Sequence, residues 1–97
     1  MSKPSTSYEL IFGEGALTPL FRNVPRTYID CIVRELQGLA ADPTSQARRC
    51  NHPYPGTKEF DFACDQQPHG FLFRVHFFFE PGEEAIRVFD VKAVANW

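Results

Sequence analysis

The stretch that decides the fold runs from Phe71 to Glu80 and reads FLFRVHFFFE. Successive side chains of a β-strand point to opposite faces of its sheet. One set is fully apolar and should meet the core: Phe73, Val75, Phe77 and Phe79. The other set is mixed: Arg74, His76, Phe78 and Glu80. We therefore predict a long strand with one buried face and one open, partly solvated face, and we expect any site to lie near Arg74 and His76.

Shorter patterns on either side of this stretch predict two further strands. Residues 59–64 alternate cleanly, with Phe60, Phe62 and Cys64 on one face, and residues 65–70 read as a turn. A hairpin turn at residues 81–84 leads into a last strand over residues 85–94. Aromatic residues favour such pleated, half-buried surfaces, and seven of the ten Phe lie between positions 60 and 79. Three strands joined by short turns form an antiparallel meander.

The first half of the chain is mainly helical in pattern. Residues 8–12 predict a strand, residues 16–23 a short helix, and residues 45–57, with Pro53, Pro55 and Gly56, a loop. A second helix should begin at Pro25 and end before Pro43, with apolar positions at i, i+3 and i+4 spacing: Tyr28, Ile29, Ile32, Val33, Leu36 and Leu39. The predicted class is α+β in the order β-α-α-β-β-β, with a helical hairpin packed on one face of an antiparallel sheet.

Length and charge limit the function. A chain of 97 residues predicts a single domain, here residues 8–97 after a flexible leader of residues 1–7. The net charge is −2, whereas proteins that grip nucleic acid through its phosphates usually carry a basic excess. Neither a signal peptide nor a membrane span is apparent. An odd count of three Cys without a secretion signal favours reduced thiols in the cytoplasm.

One group of residues has the ligand chemistry of a zinc site: Cys50, His52, Cys64 and His69. Their spacing is not the paired C-x₂-C or H-x₃-H arrangement that makes such a signal strong. Cys64 also ends the apolar face of its strand, where a buried thiol behaves as a small hydrophobic side chain. The sequence therefore assigns neither a metal nor another cofactor.

The order of elements and three local segments resemble the RelE/ParE toxin superfamily. Residues 20–25, LFRNVP, with the helix that follows, are similar to that family's helical hairpin. Residues 70–77, GFLFRVHF, resemble its G-x-(Y/F)-R-V central strand, and residues 86–91, IRVFDV, resemble its last strand. The resemblance spans roughly residues 8–94.

This resemblance implies the toxin of a bacterial, cytoplasmic type II toxin-antitoxin system. RelE-like members cleave messenger RNA on the ribosome without a metal, whereas ParE-like members inhibit DNA gyrase. In both groups an antitoxin that wraps around the toxin neutralises it. The implied partners are therefore a cognate antitoxin and either the ribosome with its messenger RNA or gyrase.

The resemblance also implies a site on the open face. Arg74 matches the family's central-strand Arg, whose planar fork suits phosphate oxygens. His76 is a candidate general acid or base, and Lys92 a further catalytic contact. Candidate RNA-binding or partner-binding residues are Lys58, Phe78 and Arg87.

The end of the last strand differs from the family pattern. RNA-cleaving members usually continue with a basic stretch and a catalytic Tyr or His, whereas residues 92–97, KAVANW, contain one Lys and no Tyr. Two hypotheses therefore stay open. One is a metal-independent endoribonuclease, and the other is a non-catalytic member of the fold that binds a protein partner, as a gyrase inhibitor or a degraded toxin.

Overall fold

The computed structural model describes residues 8–65 and 70–97. The predicted leader and the turn residues 66–69, including His69, lie outside the described residues. The elements are β1 (Glu9–Phe12), α1 (Thr18–Asn23), a 3₁₀ turn (Arg26–Tyr28), α2 (Ile29–Ala41), α3 (Pro43–Gln46), β2 (Arg48–Cys50), β3 (Thr57–Asp65), β4 (Gly70–Phe79) and β5 (Ala85–Asn96). The predicted strands and both main helices are present, which confirms the α+β class.

The strands of the described residues form one five-stranded sheet in the order β1-β5-β4-β3-β2. Strands β3, β4 and β5 pair antiparallel, as the meander predicts. Strand β1 pairs parallel with β5, so the sheet is mixed and not wholly antiparallel. Gly82 has a φ of 78°, a conformation that glycine adopts without steric cost, and it turns the chain between β4 and β5.

The core lies between the helices and one face of the sheet. Tyr28, Leu36 and Leu39 come from the helical segment, and Phe73, Val75 and Phe77 come from β4 as predicted. Tyr28 meets Phe71 edge to face with ring centroids 4.9 Å apart. Such aromatic contacts add to the burial of apolar surface, the main driving force of folding. None of the described helices is long and apolar enough to cross a membrane.

The segment predicted as one loop, residues 45–57, is more ordered than its sequence suggests. It contains the end of the single-turn helix α3 and the three-residue strand β2, which pairs antiparallel with β3. Strand β2, with the sequence Arg48-Arg49-Cys50, is only three residues long and lies at the sheet edge. It therefore shows no alternation of apolar and polar residues from which a strand could be predicted. Only the loop after it, which contains Pro53, Pro55 and Gly56, matches the prediction.

The expectation of three reduced thiols is wrong at two positions. Cys31, on the buried side of α2, is disulfide-bonded to Cys64 on β3, and their Cα atoms are 6.1 Å apart. The two sulfurs meet because the helix packs on the apolar face of β3, where Cys64 follows Phe60 and Phe62. Cys50 is a free, buried cysteine. Counting cysteines could not reveal this pairing, which depends on contact between elements 33 residues apart.

Candidate functional site on the open sheet face

The open face of the sheet carries two rows of polar side chains that run across the strands. The first, which we call the His76 row, joins Arg48, Glu59, His76 and Asp90 on β2, β3, β4 and β5. The second, the Arg74 row, joins Asp61, Arg74 and Lys92 on β3, β4 and β5. Directly opposed residues on neighbouring strands lie on the same face and interact. The sheet register therefore gathers seven charged or titratable groups in a small area.

Arg74 is held by Asp61 through a two-point ion pair. Its Nε donates to Oδ1 of Asp61 at 2.8 Å and its Nη2 donates to Oδ2 at 2.9 Å. The hydrogen bond from Arg74 is the main reason that the pKa of Asp61 lies below its ordinary value, and the same bond raises the pKa of Arg74. About a third of the Arg74 side chain is exposed. The predicted phosphate-binding Arg is thus accessible but already bound to a carboxylate.

His76 lies between two carboxylates. Its Nδ1 is 3.2 Å from Oδ2 of Asp90, and its Nε2 is 3.2 Å from Oε1 of Glu59. The other carboxylate oxygen of Glu59 accepts a hydrogen bond from Arg48. Burial opposes ionisation of Glu59, but the hydrogen bond and the charge of Arg48 outweigh it, so the pKa of Glu59 is lowered.

The expectation that His76 lies on a solvated surface is wrong. Its side chain is only 1% exposed. Tyr54, from the loop between β2 and β3, packs edge-on against His76 at 4.9 Å, and Phe89 stacks on it at 6.2 Å. Strand alternation correctly gives the face on which His76 lies, but it cannot show that a loop covers part of that face.

The remaining predicted residues are dispersed. Lys92 lies opposite Arg74, with its Nζ 3.8 Å from Oδ2 of Asp90, and it is well exposed. Arg87 lies opposite Phe78 and pairs with Glu80. Both are on the open face, but Arg87 lies nearer the hairpin turn, whereas Lys92 lies beside Arg74.

Two of the predicted binding residues need correction in their placement. Phe78 is half-buried against Phe89, with ring centroids 6.0 Å apart, and is not the freely exposed aromatic that alternation predicts. Lys58 lies opposite Phe77, whose side chain belongs to the core, so Lys58 points to the helix side of the sheet, away from Arg74. Lys58 and Arg74 therefore cannot form one site.

Sequence reasoning missed the acidic half of this surface. Glu59 and Asp61 alternate with Phe60 and Phe62, which places them on the open face, but their partners depend on the register between β3 and β4. The four residues whose chemistry would suit zinc do not come together as a whole either. Cys64 is bonded to Cys31 on the core side, and His69 lies outside the described residues.

The fold has counterparts among solved structures. A chain of the RelBE2 toxin-antitoxin complex from Mycobacterium tuberculosis superimposes with a TM-score of 0.66 at 14% identity, covering 91% of this chain and 99% of that one. A chain of the intact RelBE toxin-antitoxin complex from E. coli gives 0.60 at 15% identity, covering 92% and 99%. A free arginine-to-alanine double mutant of the E. coli toxin RelE gives 0.58 at 17% identity, covering 89% and 82%.

These similarities establish a RelE-like toxin fold for this chain. No protein-family model matches the sequence, and neither does any curated protein. At this level of identity the similarity defines the architecture, and the activity has to be argued from the side chains.

Proposed function

We propose that this chain is the toxin of a toxin-antitoxin system and that messenger RNA on the ribosome is its target. The observation that carries the proposal is the position of Arg74 and Lys92, which lie directly opposite each other on the accessible part of the open face. Two adjacent cations on a rigid sheet suit a phosphate group, and Arg can hold two of its oxygens at once. The resemblance of β4 to the central strand of the RelE group and the RelE-like fold support the same assignment.

Within this proposal, the buried His76 cannot contact RNA, and its role is to hold Glu59 and Asp90 in place on the open face. Phosphate contact falls to Arg74 and Lys92, and Arg74 has to exchange Asp61 for the phosphate. Such an exchange replaces one charge-assisted pair with another, so its net cost is smaller than that of leaving either charge unpaired.

A second candidate is a non-catalytic toxin that binds a protein target. It is favoured by the two-point pair between Arg74 and Asp61 and by the burial of His76, which leaves no exposed imidazole among the predicted catalytic residues. In this case the open face serves as a binding surface, with gyrase as the target that the resemblance implies.

The experiment is controlled expression of the native chain, Arg74→Ala and Lys92→Ala in bacterial cells, with mapping of messenger RNA ends. The first proposal expects growth arrest and new cleavage sites with the native chain and the loss of both with Arg74→Ala. Arrest without cleavage, together with inhibition of gyrase supercoiling in vitro, would replace it with the second. If the native chain is folded and present but growth is unaffected, both toxin proposals fail.

An antitoxin partner is part of the proposal, and the helical side of the molecule offers a surface for it. An apolar groove lies between α1, α2 and β1, and Phe12, Phe21 and Val33 are 40–53% exposed there. Exposed apolar surface of this kind is typical of protein interaction sites. Two of the structural counterparts are toxin-antitoxin complexes, which supports an antitoxin as the occupant.

The groove can be tested by genetic rescue. A library of genes from the source genome is screened for clones that restore growth to cells expressing this chain. We expect Val33→Glu to keep its toxicity but to lose rescue, because a carboxylate in the groove has to be desolvated on binding. Arg34→Glu, on the neighbouring exposed position of α2, is the control and should still be rescued. Equal rescue of both variants would exclude this groove as the antitoxin site.

A further inference from the structure

We propose that Cys50, Glu59 and His76 form a zinc-binding site beneath the loop that carries Tyr54. Their ligand atoms, one thiol sulfur, one carboxylate oxygen and one imidazole nitrogen, all lie within 4.8 Å of one another. The inference does not depend on the proposed toxin activity, because it rests on these side chains alone.

The three residues are brought together by strand pairing. Cys50 ends β2, Glu59 lies on β3 opposite Arg48, and His76 lies on β4 opposite Glu59. All three are on the open face, although they are far apart in the sequence. The strand register therefore assembles a group of ligands that no local motif encodes. Cys50 also belongs to the group with zinc-ligand chemistry noted in the sequence, but its partners here are Glu59 and His76.

The distances suit a tetrahedral zinc ion. Zinc binds nitrogen and oxygen at about 2.0–2.1 Å, which separates two such ligands by about 3.3 Å in a tetrahedron. Nε2 of His76 and Oε1 of Glu59 are 3.2 Å apart. The Cys50 sulfur, whose Zn–S bond would be about 2.3 Å, needs a shift of at most about 1.3 Å to complete the third ligand. The site requires only small side-chain adjustments.

The surroundings of these three ligands have the features of a metal site. Asp90 faces Nδ1 of His76, and a carboxylate on the second ring nitrogen commonly orients and strengthens a metal-binding His. Arg48 holds the second oxygen of Glu59 and so directs the first one towards His76. The thiolate of Cys50 and the carboxylate of Glu59 together balance the two charges of Zn²⁺.

His76 supplies a further argument. Both of its ring nitrogens face carboxylate oxygens, and a neutral imidazole would direct the lone pair of one nitrogen at an anion. The single N–H of a neutral ring satisfies only one of these two contacts, and a metal ion between Nε2 and Oε1 of Glu59 would satisfy the other. The thiol of Cys50 is fully buried close to these two groups, and its Sγ donates to the backbone oxygen of His52 at 3.1 Å. Because a thiolate prefers soft or borderline metal ions, zinc suits this site better than a hard cation such as magnesium.

A catalytic use of the same residues fits the structure less well. A thiol near an imidazole that is itself oriented by a carboxylate resembles a nucleophile and its base. However, neither Cys50 nor His76 has exposed surface, so no substrate can reach the sulfur. A metal ion needs only a brief opening of the Tyr54 loop.

The test is a titration of the purified full chain, with its disulfide intact, with Zn²⁺ against a chromogenic chelator, and then with Co²⁺ as a spectroscopic probe. We expect one equivalent of zinc, a higher melting temperature and a thiolate-to-cobalt charge-transfer band. Cys50→Ser should lose that band, and Asp90→Asn should bind zinc about 10–100-fold more weakly.

His52→Ala is the matched control, because His52 is exposed and belongs only to the earlier suggested group. It should bind zinc as the native chain does. Glu59→Gln is nearly isosteric and serves as the second ligand variant if Cys50→Ser does not fold, as judged by circular dichroism. The site is excluded if the native chain takes up no zinc, or if folded Cys50→Ser and Glu59→Gln bind zinc with native affinity.

Discussion

Asp61 engages both Nε and Nη2 of Arg74, and the same carboxylate also accepts a hydrogen bond from Arg48 at 3.1 Å. Arg74, the side chain best suited to bind a phosphate, therefore already has its charge balanced by a carboxylate on the neighbouring strand. This relationship decides how the open face behaves, because any anion that binds Arg74 competes with Asp61.

The first prediction concerns release of Arg74. Asp61→Asn should strengthen binding of a short RNA oligonucleotide to the chain severalfold, because Arg74 no longer has a charged competitor. The same change should cost about 1 kcal/mol of stability, since a partly exposed ion pair contributes little beyond that. Fluorescence anisotropy with labelled RNA and urea unfolding provide the two measurements. Glu83→Gln removes an exposed acidic group in the β4–β5 turn and should leave both unchanged; equal gains in the two variants would point to net charge alone.

The second prediction concerns His76. Replacing it with Ala should destabilise the fold by about 3 kcal/mol or more, because Glu59 and Asp90 lose the hydrogen-bonding ring between them and a cavity opens in a buried place. Chemical unfolding measures the loss. Arg87→Ala, which breaks a more exposed pair on the same face, should cost about 1 kcal/mol or less. If His76→Ala proves as mild as Arg87→Ala, the structural role of His76 is refuted.

The third prediction concerns the bond between Cys31 and Cys64. Cross-linking residues separated by 33 positions reduces the entropy of the unfolded chain, which corresponds to about 3–4 kcal/mol of stability. Reducing agent should therefore lower the melting temperature of the native chain substantially. The double variant Cys31→Ala with Cys64→Ala retains Cys50 and should melt lower, at a temperature that reducing agent does not change. An equal response of both proteins to the reducing agent would show that the bond does not form in solution.

Several elements could be predicted from sequence because their patterns are local. The spacing of Ile32, Leu36 and Leu39 defines α2, and the alternation around Arg74 and His76 defines β4 with the correct buried face. The neighbours of these residues could not be predicted in the same way. Which acid faces Arg74, and which thiol lies near His76, depends on register between strands that are distant in sequence. Residues 48–50 form a strand only because β3 offers them a partner.

The fourth prediction uses two glycines in opposite situations. A Cβ on Gly70 would lie 2.3–2.5 Å from the indole ring of Trp97, whereas a Cβ on Gly38, in the exposed part of α2, meets nothing within 4 Å. Gly70 and Trp97 also exchange two backbone hydrogen bonds of 3.0 Å. Gly70→Ala should therefore displace the indole and cost about 1 kcal/mol, because overpacking is relieved only by moving the ring. Gly38→Ala should instead stabilise the chain by about 0.5–1 kcal/mol, since alanine is the better helix former.

Trp97 is the chain's single tryptophan, so its fluorescence reports the position of the ring in each purified variant. Its fluorescence emission should shift to longer wavelength in Gly70→Ala, as the ring moves further into water, and should be unchanged in Gly38→Ala. Urea unfolding gives the stability of each variant. A native-like emission spectrum in Gly70→Ala would mean that the indole ring of Trp97 does not contact Gly70 in solution. It would then follow that the two backbone hydrogen bonds between Gly70 and Trp97 do not hold the ends of β4 and β5 together.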